Sequence, residues 1–415
     1  MDAFRVFAKI GLLSFGGPAG QIALMHRIIV DERGWLSEQQ FLNALSFCML
    51  LPGPEAMQLA TYAGWRLHGT PGGLMAGILF VLPGALVVLA LSMIYALAGD
   101  VTLLSVAFMG IKAAVIVIVL EALLKVSKRA LKRLDLWFVA AFSFIGIFVL
   151  AMPFPLIILL AALYGAIHGK AHSGETVAMA EASLSKSLKT IALWLFIWWF
   201  PLVILGITAP QSILFDIGLF FSKLAVVTFG GAYAVLAYMA QDVVTGFGWL
   251  NAGAMIDGLG LAETTPGPLI LVTEFVGFLA AFREGGLALG LAGALITLWV
   301  TFAPCFLWIF AGAPYVEWIA AQPRLNGALS GITAAVVGVI LNLAVWFALH
   351  VFFSSHQTLT AGLFKVLLPE LATFDWRVMV LALISAVMLL GLHRSIILTL
   401  VVAGSLAIAL HYAGF

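Results

Sequence analysis

The feature that most constrains this chain is a stretch that occurs twice, the second copy lying 214 residues after the first. Ser14-Phe15-Gly16-Gly17 recurs as Thr228-Phe229-Gly230-Gly231, Gly34-Trp35-Leu36 as Gly248-Trp249-Leu250, and Pro52-Gly53-Pro54 as Pro266-Gly267-Pro268. Asp2 and Lys9 reappear in the same register as Asp216 and Lys223. One register held without a gap for about seventy residues marks a duplicated unit. The repeated motifs are helix-breaking glycines and prolines inside very apolar segments. In a membrane protein that pattern points to paired broken helices around a central substrate site.

Composition agrees. Charged residues make up 9% of the chain and hydrophobic ones 63%, where a soluble domain carries about 25% charged residues. Apolar runs long enough to cross a bilayer recur throughout, Leu74–Ala98 and Val101–Leu124 among them. A net charge of +1 gives no sign of a nucleic-acid partner. Cys48 and Cys305 form neither a disulfide framework nor a metal spacing. The Met-Asp start runs into the first motif without a small-residue cleavage site, so no removable signal peptide is expected. The expected fold is an all-α integral membrane protein, a polytopic helical bundle of two homologous repeats with broken helices and re-entrant hairpins. Long continuous apolar runs exclude a β-barrel.

The expected division is a first repeat over 1–169, a polar linker and connecting helix over 170–212, and a second repeat over 213–415. The first repeat reads as a helix near Ala3–Met25 broken at the Phe-Gly-Gly, then a polar loop over His26–Gly34. A hairpin, Leu36–Leu51 and Glu55–Trp65, follows with Pro52-Gly53-Pro54 at its tip. Each flank is too short to span comfortably, which favours re-entry over crossing. Spans near 72–99, 101–124, 136–152 and 155–168 complete it. A helix over Thr190–Ala209 leads into the second copy, which has a hairpin across 251–282 and spans near 286–313, 325–350, 376–392 and 395–412. A seven-residue insertion in the 286–313 helix aligns Pro83 with Pro304 and Gly110 with Gly331. Loop 125–135 holds Lys125, Lys128, Arg129, Lys132 and Arg133, whereas its counterpart at 346–375 holds Lys365 beside Glu370 and Asp375. Lys and Arg collect on cytoplasmic loops, so the first loop is expected inside, the second outside, and the repeats inverted. About six crossings separate the equivalent points, although inversion needs an odd number.

Gly16-Gly17 and Gly230-Gly231 either let helices pack closely or unwind them to expose N–H groups to an anion. Duplication, and Pro18 after the first pair, favour unwinding. Prolines at mid-membrane depth are costly unless the chain turns there. A helix starting just after Pro54 or Pro268 would present a positive dipole end and unpaired donors. Lys9 and Lys223, on roughly the same helix face as the breaks, either supply a cationic field or snorkel to the interface. Phe15 and Phe229 sit in the breaks themselves. Gln58, Asn43, Thr264 and Thr265 are neutral groups suited to oxyanion oxygens. Glu55 and Glu263 are asymmetric acids, each either a structural carboxyl or a proton carrier; Glu274 falls opposite Ala60. Lys112 lies deep in its span with Glu121 nine residues on, and an intramembrane charge is functional by default. Gly-x-x-x-x-Gly-Lys-[Ser/Thr], His-Glu-x-x-His and Gly-x-Ser-x-Gly are all absent. No catalytic residues, metal site or cofactor are expected, and the chain is not expected to be an enzyme.

Phe15-Gly-Gly-Pro18, Gly34-Trp35-Leu36, Leu51-Pro-Gly-Pro-Glu-Ala-Met-Gln-Leu-Ala-Thr-Tyr62 and Glu263-Thr-Thr-Pro-Gly-Pro268 together resemble the chromate transporter family in its long two-domain form. The resemblance covers residues 2–168 and 216–412. It implies export of chromate from the cytoplasm across the cell inner membrane, driven by the proton motive force or membrane potential. A transporter or channel for sulfate or another small anion is the alternative. The partners implied are a small oxyanion and the lipid bilayer, with a homodimer admitted and no nucleic acid. Where the family pattern has Gln three residues before each Pro-Gly-Pro, Met49 and Glu263 stand here.

Overall fold

The structure, a computed structural model, describes residues 2–15, 17–98, 101–168, 184–229, 232–320, 322–361 and 364–414. Gly16, Gly230 and Gly231 lie outside the described residues, as does most of the polar stretch expected between the repeats. The helices in chain order are α1 (Asp2–Leu13), α2 (Gly17–His26), α3 (Glu38–Leu50), α4 (Glu55–Ala98), α5 (Thr102–Ala130), α6 (Leu134–Phe148), α7 (Phe154–His168) and α8 (Leu184–Thr208). They continue as α9 (Ile213–Val227), α10 (Ala232–Gln241), α11 (Ala252–Thr264), α12 (Val272–Gly312), α13 (Val316–Ala320), α14 (Pro323–Phe352), α15 (Trp376–Ala386) and α16 (Ile396–Tyr412). Among the described residues, five helical segments are long and apolar enough to cross a membrane. The expectation of an all-α polytopic membrane protein holds, apart from a small β-hairpin, β1 (His356–Ala361) against β2 (Phe364–Pro369).

Several boundaries differ from the sequence reading. The polar stretch after His26 is no loop: α2 runs on as a π-helical turn over Arg27–Glu32, and α10 does the same over Asp242–Gly246. A wider turn carries the charged residues forward without ending the helix. α5 extends to Ala130, so Lys125, Lys128 and Arg129 lie in its last turns, and α14 extends to Phe352, leaving the β-hairpin where a long loop was expected. α3 starts where Ser37 and Gln40 form a reciprocal capping box, satisfying two of the helix's first N–H groups.

α4 and α12 are not straight. Non-helical backbone at His68-Gly69 and at Gly285-Gly286, with Gly69 at φ 64° and Gly286 at φ 72°, divides each into two arms. Positive φ suits glycine, so the hinges stand where the sequence permits them. The arms fold back on each other: a Cβ on Gly64 would overlap the Gly72 carbonyl, and one on Gly293 the Gly277 carbonyl. At 1.5 Å per residue, α3 and the first arm of α4 are each about 20 Å long, short of the roughly 30 Å hydrocarbon thickness. Their lengths agree with the re-entrant hairpin expected there. The inserted residues are also redistributed. Gly64 and Gly72 correspond to Gly277 and Gly293 in their packing, and Gly69 to Gly286 in its hinge. The second half therefore loses one residue after its tip, where a 3-10 turn (Leu269–Leu271) precedes α12, and gains four on each side of the hinge. The stretch between each packed glycine and the hinge is therefore about one helical turn longer in α12 than in α4.

Two compact units emerge, and they cut across the repeats. The first comprises Met1–Met93, Gly169–Val235 and Thr265–Gly327; the second comprises Ile94–His168, Leu236–Thr264 and Ala328–Phe415. In the first, α12 packs on α8 and α9, with Trp194 stacked near the Phe306 and Phe310 rings. In the second, α5 packs on α11, α15 and α16. There Gly110 of α5 stands where a Cβ would overlap the Ala403 carbonyl of α16, and Gly331 of α14 does the same at Ala161 of α7. Each half thus lays its long helix against the closing helices of the other.

Candidate functional site

The first unit contains both Pro-Gly-Pro tips, and each is seated on the broken helix of the other repeat. α1 ends at Leu13 and α9 at Val227, so the carbonyls of Ser14 and Thr228 have no helical N–H to accept. The Gly267 N–H donates to the Ser14 carbonyl at 2.8 Å, and the Gly53 N–H donates to the Thr228 carbonyl at 2.8 Å. The two bonds are equivalent under the repeat. Each settles one orphan donor and one orphan acceptor, which matters most where no water is at hand. The hydroxyls of Ser14 and Thr228 turn back onto their own helices, at Ile10 and Leu224.

Glycine is required at both tips, with φ 118° at Gly53 and 88° at Gly267. Both tips are buried with their flanking prolines, except that Pro54 is half-buried. Two glutamine amides close the seats. Gln58 donates to the Pro52 carbonyl at 2.7 Å, and Gln21 donates to the Gly267 carbonyl at 2.6 Å and to that of Ser14 at 3.3 Å. The second arms of α4 and α12 form the floors. A Cβ on Gly84 would overlap the Pro266 carbonyl, and Cys305 Sγ stands 2.9 Å from where a Cβ on Gly53 would be.

The donors expected at the tips are thus partly committed: the Gly53 and Gly267 N–H groups already hold carbonyls. Among the described residues, the helix starts that remain at the tips and breaks include that of α2, where Gly17 (φ 75°) faces open space, and that of α4, which begins at Glu55. In the second half a 3-10 turn precedes α12, so its start is not the mirror of α4's. Phe15 is exposed and Phe229 half-buried beside their breaks. Lys9 and Lys223 are exposed, two turns before the breaks. Thr265 is buried in the first unit. Thr264 and Glu263 close α11 in the second, where Thr264 donates to Leu261 and Glu263 is buried. Asn43 accepts a hydrogen bond from Gln39. Glu274 is wholly buried in the first turn of α12 and corresponds in packing to Thr61, not to Ala60.

Residues that sequence reasoning passed over are Gln21, Gly84 and Asp257. Asp257, in α11, meets Lys112 at 3.3 Å, while Glu121 pairs instead with Lys125 at 2.6 Å. An acid inside an apolar helical stretch was a visible signal, though its partner was not. Among the described residues no group of three or more His, Cys, Asp or Glu could hold a metal ion.

The sequence profile of the family described as "Chromate transporter" matches residues 1–166 and 215–409. A protein described as "Probable chromate transport protein" from Synechococcus elongatus is 32% identical over 82% of this chain and 82% of its own length. A "Chromate transport protein" from Pseudomonas aeruginosa is 34% identical, over 81% of this chain and 78% of its own. One of the same description from Cupriavidus metallidurans is 30% identical, over 82% and 80%. No solved structure matches the chain.

Proposed function

Because this chain belongs to the chromate transporter family, we propose that it carries chromate out of the cytoplasm across the inner membrane, along a path through the crossed tips and breaks. The supporting observation is the reciprocal pair of bonds, Gly53 to Thr228 and Gly267 to Ser14. These bonds occupy the carbonyl ends of the broken helices. What faces the substrate is then the opposite, N-terminal ends, which attract anions. Gly17 starts one such end, Gly16, Gly230 and Gly231 are the sequence candidates beside these ends, and Phe15 and Phe229 are the apolar walls. Pro52, Pro54, Pro266 and Pro268 hold the tips rigid, Gln58, Thr264 and Thr265 offer neutral polar groups, and Lys9 and Lys223 add a cationic field. Glu55 and Glu263 are the proton-coupling candidates.

Coupling to a proton is not needed for export. At about 2.3 kcal/mol per charge per 100 mV, a dianion leaving a negative interior gains about 4.6 kcal/mol. That sustains a gradient of about three decades. The basic residues at the end of α5 and just after it, Lys125 to Arg133, support reading this side as cytoplasmic and the β-hairpin as periplasmic, with the repeats inverted. The test is uptake of radiolabelled chromate into everted vesicles with an imposed potential, with and without a proton gradient, and with sulfate in parallel. Chromate uptake that follows the potential supports the reading. Uptake of sulfate alone, or of neither, overturns it.

A further inference from the structure

α11 and α5 meet in the second unit at a charged cluster that the crossed tips do not explain. Lys112 Nζ lies 3.3 Å from Asp257 Oδ2, and the Tyr95 hydroxyl donates to the same oxygen at 2.9 Å. Oδ1 of the same carboxylate is buried and has no hydrogen-bond partner. An ionised carboxylate offers about four acceptor positions, so one bare oxygen at this depth is costly. The ammonium is also loosely held, since a charge-assisted N–H···O bond is ordinarily about 2.7–2.9 Å. Beside it lies a cavity of about 420 Å³ lined by Ser105, Asn251, Gly253 and the three residues of the cluster, with Phe108 as an apolar wall. Gly253 keeps this space clear: a Cβ there would stand 3.2 Å from Lys112 Nζ.

The pair is not needed by the duplicated scaffold. At the equivalent positions the chain has Thr333 for Lys112 and Asn43 for Asp257. Thr333 bonds its own helix at Leu329, and Asn43 its neighbour Gln39. The equivalent helices, α14 and α3, are therefore built with a neutral residue at each of these positions.

We propose that this cavity is a proton-gated binding site for a small tetrahedral oxyanion, in which the anion takes the place of the Asp257 carboxylate on Lys112. The proposal rests on the small-oxyanion cargo argued above. With Asp257 ionised, its carboxylate is the counter-charge of Lys112 and the site is closed to anions. A proton from water adds to the bare Oδ1, and the carboxyl becomes neutral. Lys112 is then a cation within an apolar helix without an acidic partner, a state costing several kcal/mol. An oxyanion entering the cavity restores the balance, with Ser105, Asn251 and the Tyr95 hydroxyl as further hydrogen-bonding groups. The volume holds such an anion and several waters of about 30 Å³ each. The groups that face Asp257 from its neighbours are Lys112 on α5 and Tyr95 at the end of α4. On α16 the titratable residues, His411 and Tyr412, are confined to the last turn. Protonation and anion binding are thereby linked, each strengthening the other by the same factor.

Sulfate is the suitable probe, since it stays a dianion from mildly acid to alkaline pH. Calorimetric titration of the purified full-length protein should show sulfate binding that is at least about tenfold tighter at acid than at alkaline pH. Asp257→Asn should bind at alkaline pH as tightly as the wild type does at acid pH. The double change Lys112→Thr with Asp257→Asn places at each position the neutral residue found at its repeat equivalent, Thr333 and Asn43, so it is compatible with both helices. It should lose this binding at both pH values while chromate uptake remains measurable. An Asp257→Asn protein that keeps the wild-type pH dependence, or a double variant that binds sulfate as the wild type does, overturns the site and leaves the transport reading standing. Failure of the wild type to bind any oxyanion overturns both.

Discussion

At the first tip, Gly53 sits beside Cys305 Sγ and beneath the amide of Gln58, which belongs to the helix that the tip itself begins. At the second, Gly267 sits against the bare backbone of Gly84, and the amide above it is Gln21, from the opposite repeat. Glu55 follows the first tip at the start of α4; Leu269 and a 3-10 turn follow the second. The backbone bonds are the same, Gly53 to Thr228 and Gly267 to Ser14. Duplication preserved what the membrane enforces, namely paired main-chain groups, and released the side chains to diverge. The shared geometry is therefore the scaffold, and any polarity of the transport path comes from what surrounds it.

The largest expected effect tests how tightly the second tip is seated. Gly84→Ala places a Cβ against the Pro266 carbonyl, a backbone group that cannot swing aside, and against Leu271 Cδ1 as well. It should cost about 1–3 kcal/mol, and thermal unfolding in detergent and vesicle uptake should both fall sharply. The mirror change, Cys305→Ala, removes atoms and should cost less than about 1.5 kcal/mol. Equal losses would dissolve the distinction between the two floors.

Next come the tips themselves. Gly53→Ala and Gly267→Ala each carry a positive-φ strain of about 1–3 kcal/mol. At Gly53 the added methyl also meets Gln58 Nε2 at 2.7 Å and Cys305 Sγ at 2.9 Å; at Gly267 it meets Leu271 Cδ1 at 3.1 Å. Adding Cys305→Gly should recover part of the Gly53→Ala loss and none of the Gly267→Ala loss. A double-mutant cycle on melting temperature reads this directly.

Gln21→Leu and Gln58→Leu compare the amides. Each loses a hydrogen bond worth about 0.5–1.5 kcal/mol, and Gln21, which serves two carbonyls, should be the costlier. The reverse order in chemical denaturation would mean that the amides do not report on their tips.

The smallest effect is one of pH. His26, at the end of α2, bonds Glu38 at 2.7 Å and lies 3.4 Å from Asp31, which raises its pKa through the Glu38 hydrogen bond against a small opposing burial. The second half has Ala240 and Ala252 at the positions of His26 and Glu38. A raised histidine pKa stabilises the fold fully below the unfolded value, about 6.5, and the gain fades as pH rises through the folded value. The difference in melting temperature between wild type and His26→Gln should shrink toward alkaline pH. It should be modest, as for other exposed pairs.

The motifs at the tips and breaks were legible because a repeat announces which residues are equivalent. It does not say which copy touches which, and the exchange of tips between halves had no trace in the register. The insertion shows the same limit: alignment reveals a net of seven residues, while the split around the Gly285-Gly286 hinge depends on backbone angles. Charges misled where helix continued through them, as at Arg27–Glu32 and Lys125–Arg129. Lys112 was legible as a buried cation, but Asp257 is its partner through packing between halves, and its counterpart Asn43 gave no hint. Lys9 and Lys223 share a register and an exposed position, which equivalence alone could not have told.

The crossed seating has a consequence for biogenesis. The first hairpin enters the bilayer long before its acceptor exists, because Thr228 follows Gly53 by about 175 residues. At about 5–20 residues per second, synthesis of that interval takes roughly ten to thirty-five seconds. Through that interval a main-chain donor waits in surroundings where each unsatisfied group costs several kcal/mol. The Gly53 seat closes first, when the second broken helix arrives, and the Ser14 carbonyl receives its main-chain donor last, when Gly267 emerges. The nascent chain therefore passes through a half-latched stage, with one repeat docked on a partner still being made, and the insertion machinery has to shelter it until the second tip swings in.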